Sequence, residues 1–257
     1  MVFQPITHIR TAQTVVERFR TLILDGVLRP GDRLPAERQL ALDLDVSRPI
    51  LRDALASLEA DGLIVAKHGE GTFVAELMGE VFSEPVAKLM RSSERGMADY
   101  MEFRRLLEAD MAAMAARRAT QSDRDMLQAI GQTMRDAHAK GDAELEAKLD
   151  IELHTLIVEA AHNMVFLHVM RACYTLIADD VFRNRKRLYA QPGERAALLS
   201  QHITIIEAIL SRDDQAARRA AQEHVDHVNT ASRDLSAADA REETSKLRRT
   251  IRLANAG

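Results

Sequence analysis

The chain has no tryptophan, a single cysteine, six prolines and eleven glycines among 257 residues, and aromatic residues make up only 4% of it. Cys173 has no partner for an internal disulfide, so a bridged scaffold is excluded and a reducing, cytoplasmic setting is expected. No stretch nears the ~18 apolar residues that cross a bilayer. The start MVFQPITHIR lacks the apolar core of a secretory signal, so no membrane is expected among the partners. Neither sign of charge dominates: 35 Lys and Arg stand against 39 Asp and Glu, a formal net charge of −4. A strongly basic coat for nucleic acid is thereby excluded, although a local basic surface is not. What is abundant is Ala, Leu, Arg and Glu. With 46% hydrophobic and 29% charged residues, this is the composition of a folded, mainly α chain with room for one large domain or two ordinary ones.

The hydrophobic pattern changes near residue 78. Before it, helical spacing over Thr11–Asp25 is followed by turn residues at Arg29-Pro30-Gly31-Asp32 and by shorter helical patterns at Ala36–Leu42 and Arg48–Ala60. Two β-like runs, Leu63–Ala66 and Thr72–Ala75, then flank the turn Lys67-His68-Gly69-Glu70-Gly71. Beyond residue 78 the β signal vanishes. Helical spacing recurs in Val81–Met90, Asp99–Ala119, Asp123–Ala139, Ala143–Ala160, Val165–Tyr189, Glu194–Leu210 and Asp214–Ser232. Breaks fall at Ser92-Ser93, Gly141-Asp142, His162-Asn163 and Gln191-Pro192-Gly193. The expected organisation is a domain over 1–78 of three helices and a β-hairpin, an all-α bundle of about seven helices over 79–235, and a polar, loosely helical tail over 236–257.

In the run Arg38–Arg52 (RQLALDLDVSRPILR) one helix ends near Leu42 and another starts at Ser47, whose hydroxyl is expected to cap it. Pro49 falls in the first turn, where its missing N–H costs little. Leu51, Ala54, Leu55 and Leu58 form one apolar stripe, while Arg48 and Arg52 sit one turn apart on another face and can enter a groove together. A short helix, a tight turn and a second helix opening on arginines has the layout of a helix-turn-helix. Guanidinium forks suit guanine O6 and N7, or a phosphate. The hairpin tip at Lys67–Gly71 is then a wing beside the minor groove. Against this, residues 1–75 carry nine Lys and Arg and ten Asp and Glu. By itself, an arginine pair on a helix is more often a solvated surface than a DNA contact.

The segment Gly31–Val74 (GDRLPAERQLALDLDVSRPILRDALASLEADGLIVAKHGEGTFV) resembles the winged helix-turn-helix domain of the GntR family of bacterial transcription regulators. The Leu-Pro-Ala-Glu-Arg start, the Val-Ser-Arg turn, the Leu-Arg-Asp-Ala-Leu helix and the Gly-Thr-Phe-Val wing stand in family order. The resemblance implies base and phosphate contacts from Arg38, Arg48 and Arg52. It puts Ser47, Pro49 and Ile50 at the start of the reading helix, and His68 and Gly69 at the wing tip. Asp45 stands where glycine is common, a place Asp tolerates because it visits left-handed backbone better than most residues. Pro49 stands where family members often carry a small polar residue.

Four further residues have ligand chemistry. Asp150 and His154 are one turn apart and share a helix face. His202 lies among Leu198, Leu199, Ile205 and Ile206, and His224 among Ala217, Ala220, Ala221 and Val228, so both are expected to face inward. Three imidazoles and a carboxylate suit Zn²⁺, Ni²⁺ or another first-row divalent ion. The same residues are also consistent with a helical Asp–His pair and two hydrogen-bonded core histidines. A hydrolytic metal site is a third reading, but the chain has no His-Glu-x-x-His helix, nucleophile elbow or phosphate loop.

Residues 81–233 resemble the all-helical effector domain of the FadR-type branch of that family, the FCD domain. The signals are EFRRLLE at 102–108, DIELH at 150–154, QHITIIEAI at 201–209 and AAQEH at 220–224. The resemblance implies a divalent metal, expected to be Zn or Ni, on Asp150, His154, His202 and His224. It implies a small organic acid as effector, with Arg104 as its anchor and Asn163 as a weaker contact. For Arg104 the plainer alternative is an i,i+4 pair with Glu108. Val165–Pro192 is similar to regulators of lactate, glycolate and pyruvate metabolism, which favours a short hydroxy- or keto-carboxylate. The resemblance also implies a homodimer on palindromic operator DNA, most often as a repressor. A purely structural metal remains the alternative to a sensory one.

Overall fold

The computed structural model describes residues 12–77, 85, 88, 90, 93–191 and 193–254, without the side chains of 175–186 and 253–254. The chain divides into two compact units, Met1–Val81 and Phe82–Gly257.

The first unit holds α1 (Ala12–Leu24), α2 (Glu37–Asp43), α3 (Arg48–Ala60), β1 (Ile64–Lys67) and β2 (Gly71–Val74). Each helix buries one stripe: Val15, Val16, Phe19 and Ile23 from α1, Leu40 and Ala41 from α2, and Leu51, Ala54 and Leu58 from α3. Together with Leu34, Ile64 and Val74 these make one core. The turn from α2 to α3 takes Asp45 to φ 50°, the left-handed backbone expected of it. Ser47 has the backbone of an N-cap, but its side chain makes no capping bond. Pro49 removes one of the two N–H groups that a cap can bond, and the hydroxyl does not bond the other, that of Ile50, either. The strands pair antiparallel from Ile64↔Val74 to Lys67↔Gly71. β2 is flanked on its other side by Arg33, which bridges to Phe73. A Cβ at Gly71 would come within 3.1 Å of the Arg33 guanidinium, so this position needs glycine for closeness as well as for its φ of 115°. The strands are each shifted about one residue from their expected places.

The second unit contains, among the described residues, α4 (Glu94–Arg118), α5 (Gln121–Lys140), α6 (Ala143–Ala160), α7 (Met164–Tyr189), α8 (Glu194–Leu210) and α9 (Asp214–Ala254). The helix expected at Val81–Met90 lies largely outside the described residues. Helix α4 buries Ala109, Ala112, Ala113, Ala115 and Ala116. Such short side chains let it pack closely along α9, α6 and α8, while α5 packs on α6 and α8. The breaks are built from the residues seen in the sequence. Ser93 caps α4 by accepting from the Gly96 N–H at 2.9 Å, which starts that helix five residues earlier than expected. Thr120 and Asp123 form a capping box on α5, Gly141 ends it at φ 76°, and Asp142 caps α6. The polar segment after residue 235 continues α9 as regular helix to Ala254, with its side chains exposed where described. Nothing in Asp214–Ala254 is glycine or proline, so helix propensity carries the element past the end of its apolar stripe. No helix of the described residues is long and apolar enough to cross a membrane.

Candidate metal centre

The apolar faces of three helices also carry four polar side chains inward. Asp150 and His154 come from α6, beside Leu149, Leu153 and Ile157. His202 comes from α8, beside Leu198, Ile205 and Ile206. His224 comes from α9, beside Ala220, Ala221 and Val225. All four are buried, His202 at 0% exposure. One ligand atom from each lies within 4.8 Å of the others. The ring centroids are 4.5 Å apart for His202 and His224, 5.2 Å for His154 and His224, and 5.6 Å for His154 and His202. Asp150 Oδ1 is 2.9 Å from His202 Nε2 and 3.8 Å from His154 Nε2.

Whether these residues fit a metal is decided by their nitrogens. His154 Nε2 and His224 Nε2 are buried and make no hydrogen bond among the described residues. Their opposite nitrogens face oxygens: Glu108 Oε2 lies 3.0 Å from His154 Nδ1, an ion-pair contact without hydrogen-bond geometry, and Gln201 Oε1 hydrogen-bonds His224 Nδ1 at 3.0 Å. An acceptor at Nδ1 puts the proton there and leaves the Nε2 lone pair turned toward the cluster. Burial, and then the His202 and His154 rings beside it, press His224 well below its ordinary pKa and keep it neutral. Neutral imidazole is the ligating form. The cluster therefore fits a divalent metal ion.

Arg104 and Glu108, one turn apart on α4, do form the i,i+4 pair, with Nε 2.6 Å from Oε1. Unlike a surface pair, both are almost fully buried. Burial opposes the charge of each. Glu108 nonetheless holds the guanidinium above its ordinary pKa, and Arg104, followed by His154, holds the carboxyl well below its usual range. One guanidinium nitrogen, Arg104 Nη2, is buried and makes no hydrogen bond. Tyr174 Oη on α7 donates to Glu108 Oε1 at 3.0 Å. Beside the cluster, Glu108, His154, Tyr174, Met111 and Ile205 line a cavity of about 10 Å³, room for about one water.

Asn163, expected as a weaker effector contact, stands at the start of α7. Its Oδ1 accepts from the Val165 and Phe166 N–H groups at 3.1 and 3.3 Å, capping α7, and it does not line that cavity. Three supporting residues were not singled out from the sequence as parts of a site. Glu108 had a signal, its place four after Arg104, and Gln201 had one, its place next to His202. Tyr174 had none, since its partner is 66 residues away.

The eight residues expected at DNA lie in the first unit. Arg38 is exposed on α2; Ser47, Arg48, Pro49 and Arg52 are exposed at the start of α3; His68 and Gly69 are exposed between the strands. Ile50 is half-buried and packs against the core. Arg52 Nε lies 2.9 Å from Glu37 Oε2, and Lys67 Nζ sits 4.9 Å from the centre of the Phe73 ring.

Residues 11–74 match the family model described as "Bacterial regulatory proteins, gntR family", and residues 99–227, just over half of the chain, match the FCD domain. The chain is 35% identical over 226 residues to a regulatory protein of Escherichia coli (strain K12) named for the L-lactate dehydrogenase operon, covering 86% of each. It is 33% identical to the Glc operon transcriptional activator of the same organism, over 87% of this chain and 88% of that one. It is 30% identical to the HTH-type transcriptional regulator LutR of Bacillus subtilis (strain 168), over 80% and 94%.

Proposed function

The chain belongs to the GntR family of bacterial regulatory proteins, in its FCD-carrying branch, and from this we propose that it tunes operator affinity to a small carboxylate bound at a metal centre in the helical unit. The observation that carries the reading is the buried quartet Asp150, His154, His202 and His224, with two inward nitrogens that make no hydrogen bond. These residues would hold the ion, expected to be Zn²⁺ or Ni²⁺. When bound, it supplies positive charge and open coordination positions, which suit the oxygens of a 2-hydroxy or 2-keto acid. Arg104 offers its spare Nη2 to the same carboxylate. Relatives named for lactate and Glc operons support a short hydroxy acid.

The site draws on α4, α6, α8 and α9 at once, so a ligand that enlarges the 10 Å³ cavity must move helices. In a homodimer on a palindromic operator that movement alters the spacing of the two reading helices. A coupling of about 1–3 kcal/mol changes operator affinity roughly 5–150-fold. Arg38, Arg48 and Arg52, with Ser47, Pro49, Ile50, His68 and Gly69, form the reading surface. The protein works as a cytoplasmic regulator, in the repressing sense most common in the family. The hydrolase alternative has no support, because the relatives are regulators. A structural metal is the second reading, and the smallness of the cavity favours it.

The test is operator binding by the full-length protein, metal-loaded and chelated, with L-lactate, glycolate and pyruvate. One of these acids is expected to change the affinity of the loaded protein only. No change with any of them removes the carboxylate reading. Chelation that melts the helical unit while the loaded protein ignores every acid supports the structural metal.

A further inference from the structure

The two histidines with inward nitrogens are supported differently. Behind His224 stands a neutral amide, Gln201. Behind His154 stands a buried carboxylate, Glu108, which also touches Arg104 of its own helix and Tyr174 of α7. One carboxylate thus joins three helices, α4, α6 and α7, at a ligand of the cluster. An anion at Nδ1 fixes the ring and raises the donor strength of Nε2 more than an amide does. Arg104 Nε, 2.6 Å from Glu108 Oε1, holds the carboxylate in place behind the ring.

We propose that Glu108 is the positioning residue of the metal centre, setting the orientation and basicity of His154, and that the Arg104 pair exists to hold Glu108 there. The proposal rests on the metal-centred reading above. The competing account is that Glu108 merely neutralises a buried arginine. In that account its loss costs stability and leaves metal affinity alone.

Full-length protein is stripped of metal and titrated with Zn²⁺ and Co²⁺ against a chelator of known affinity. Glu108→Gln is expected to bind either ion about 10–100-fold more weakly and to shift the visible absorption of the Co²⁺ form. Glu108→Asp recovers part of the loss. Because Glu108→Gln leaves a buried guanidinium without a counter-ion, the double variant Arg104→Met/Glu108→Met removes both charges together. It keeps the parent helicity by circular dichroism and shows the same weakening. A folded Glu108→Gln or double variant that binds as tightly as the parent, with an unchanged Co²⁺ spectrum, overturns the proposal. A parent that takes up neither ion overturns the metal-centred reading itself, and this proposal with it.

Discussion

Arg52 and Glu37 form an exposed pair, with 63% and 41% of their side chains open to solvent. Such pairs are worth about 0–1 kcal/mol, so a phosphate can displace Glu37 at little cost. Arg48→Ala is expected to weaken binding to the cognate operator by about 1–3 kcal/mol if it reads a base. Arg52→Ala, if it grips a phosphate, weakens all sequences alike and lowers the salt slope by about 1. Titrations by fluorescence anisotropy at several salt concentrations separate the two, and an Arg48→Ala protein of parental affinity removes that side chain from the interface. Asp45, at φ 50°, tests the turn. Valine there should cost about 1–2 kcal/mol in urea unfolding, and glycine close to nothing, because only the first meets the left-handed steric penalty. Asp45 was legible because its demand is local. Ser47 stands at the N-cap, as its place before the apolar stripe suggested, but the sequence did not reveal that its hydroxyl bonds no helical N–H.

Helix termini were the most legible elements, since Ser93, Gly141, Asp142 and Asn163 all sit where the apolar pattern was seen to break. Their energetics can be read too. Burial raises the Asp123 carboxyl, but hydrogen bonds from Thr120 and His162 outweigh it and leave the pKa below its ordinary value. A depressed carboxyl adds stability above its unfolded pKa, about 3.9, and loses it as pH falls through the folded value. Asp123→Asn should therefore cost about 1 kcal/mol at pH 7, with the gap to the parent closing below about pH 4. Urea melts at the two pH values measure this, and a gap that persists in acid refutes the carboxylate's role. The end of α9 was less legible. Periodicity marks burial, not helicity, so an exposed helix leaves no stripe to follow. Truncation after Ser236 removes mainly exposed side chains and the Arg187–Asp239 pair, itself partly exposed. It is expected to change stability by less than about 1 kcal/mol, and a larger loss in thermal melts means that this stretch is packed against something in solution.

At the scale of the molecule, the hydrophobic period changes from mixed to purely helical near residue 78, and the chain divides into its two compact units between Val81 and Phe82. The quartet was visible only in part. Asp150 and His154 declare themselves by spacing, but His202 and His224 reach them from two other helices; their apolar neighbours turned them inward without encoding that convergence, and the family resemblance is what favoured a shared ion over two core histidines. Tertiary packing also explains why the cluster is energetically exposed. Three helices meet on the quartet, and His154 Nε2 and His224 Nε2 make no hydrogen bond there, so the apolar core around Leu153, Ile205 and Ala221 offsets a polar cost at its centre. A ligand that binds only the folded form and is present at about 1,000 times its dissociation constant adds about 4 kcal/mol. For a unit of this size that is a shift of roughly 8–16 °C in melting temperature. Chelation should lower the thermal transition of the helical unit by this amount, Zn²⁺ should restore it, and His202→Ala should abolish the response. His202 is the sharpest choice for this because it is the most deeply buried of the four. A melting curve indifferent to chelator in a protein purified with its metal would mean that the quartet is held together by packing alone.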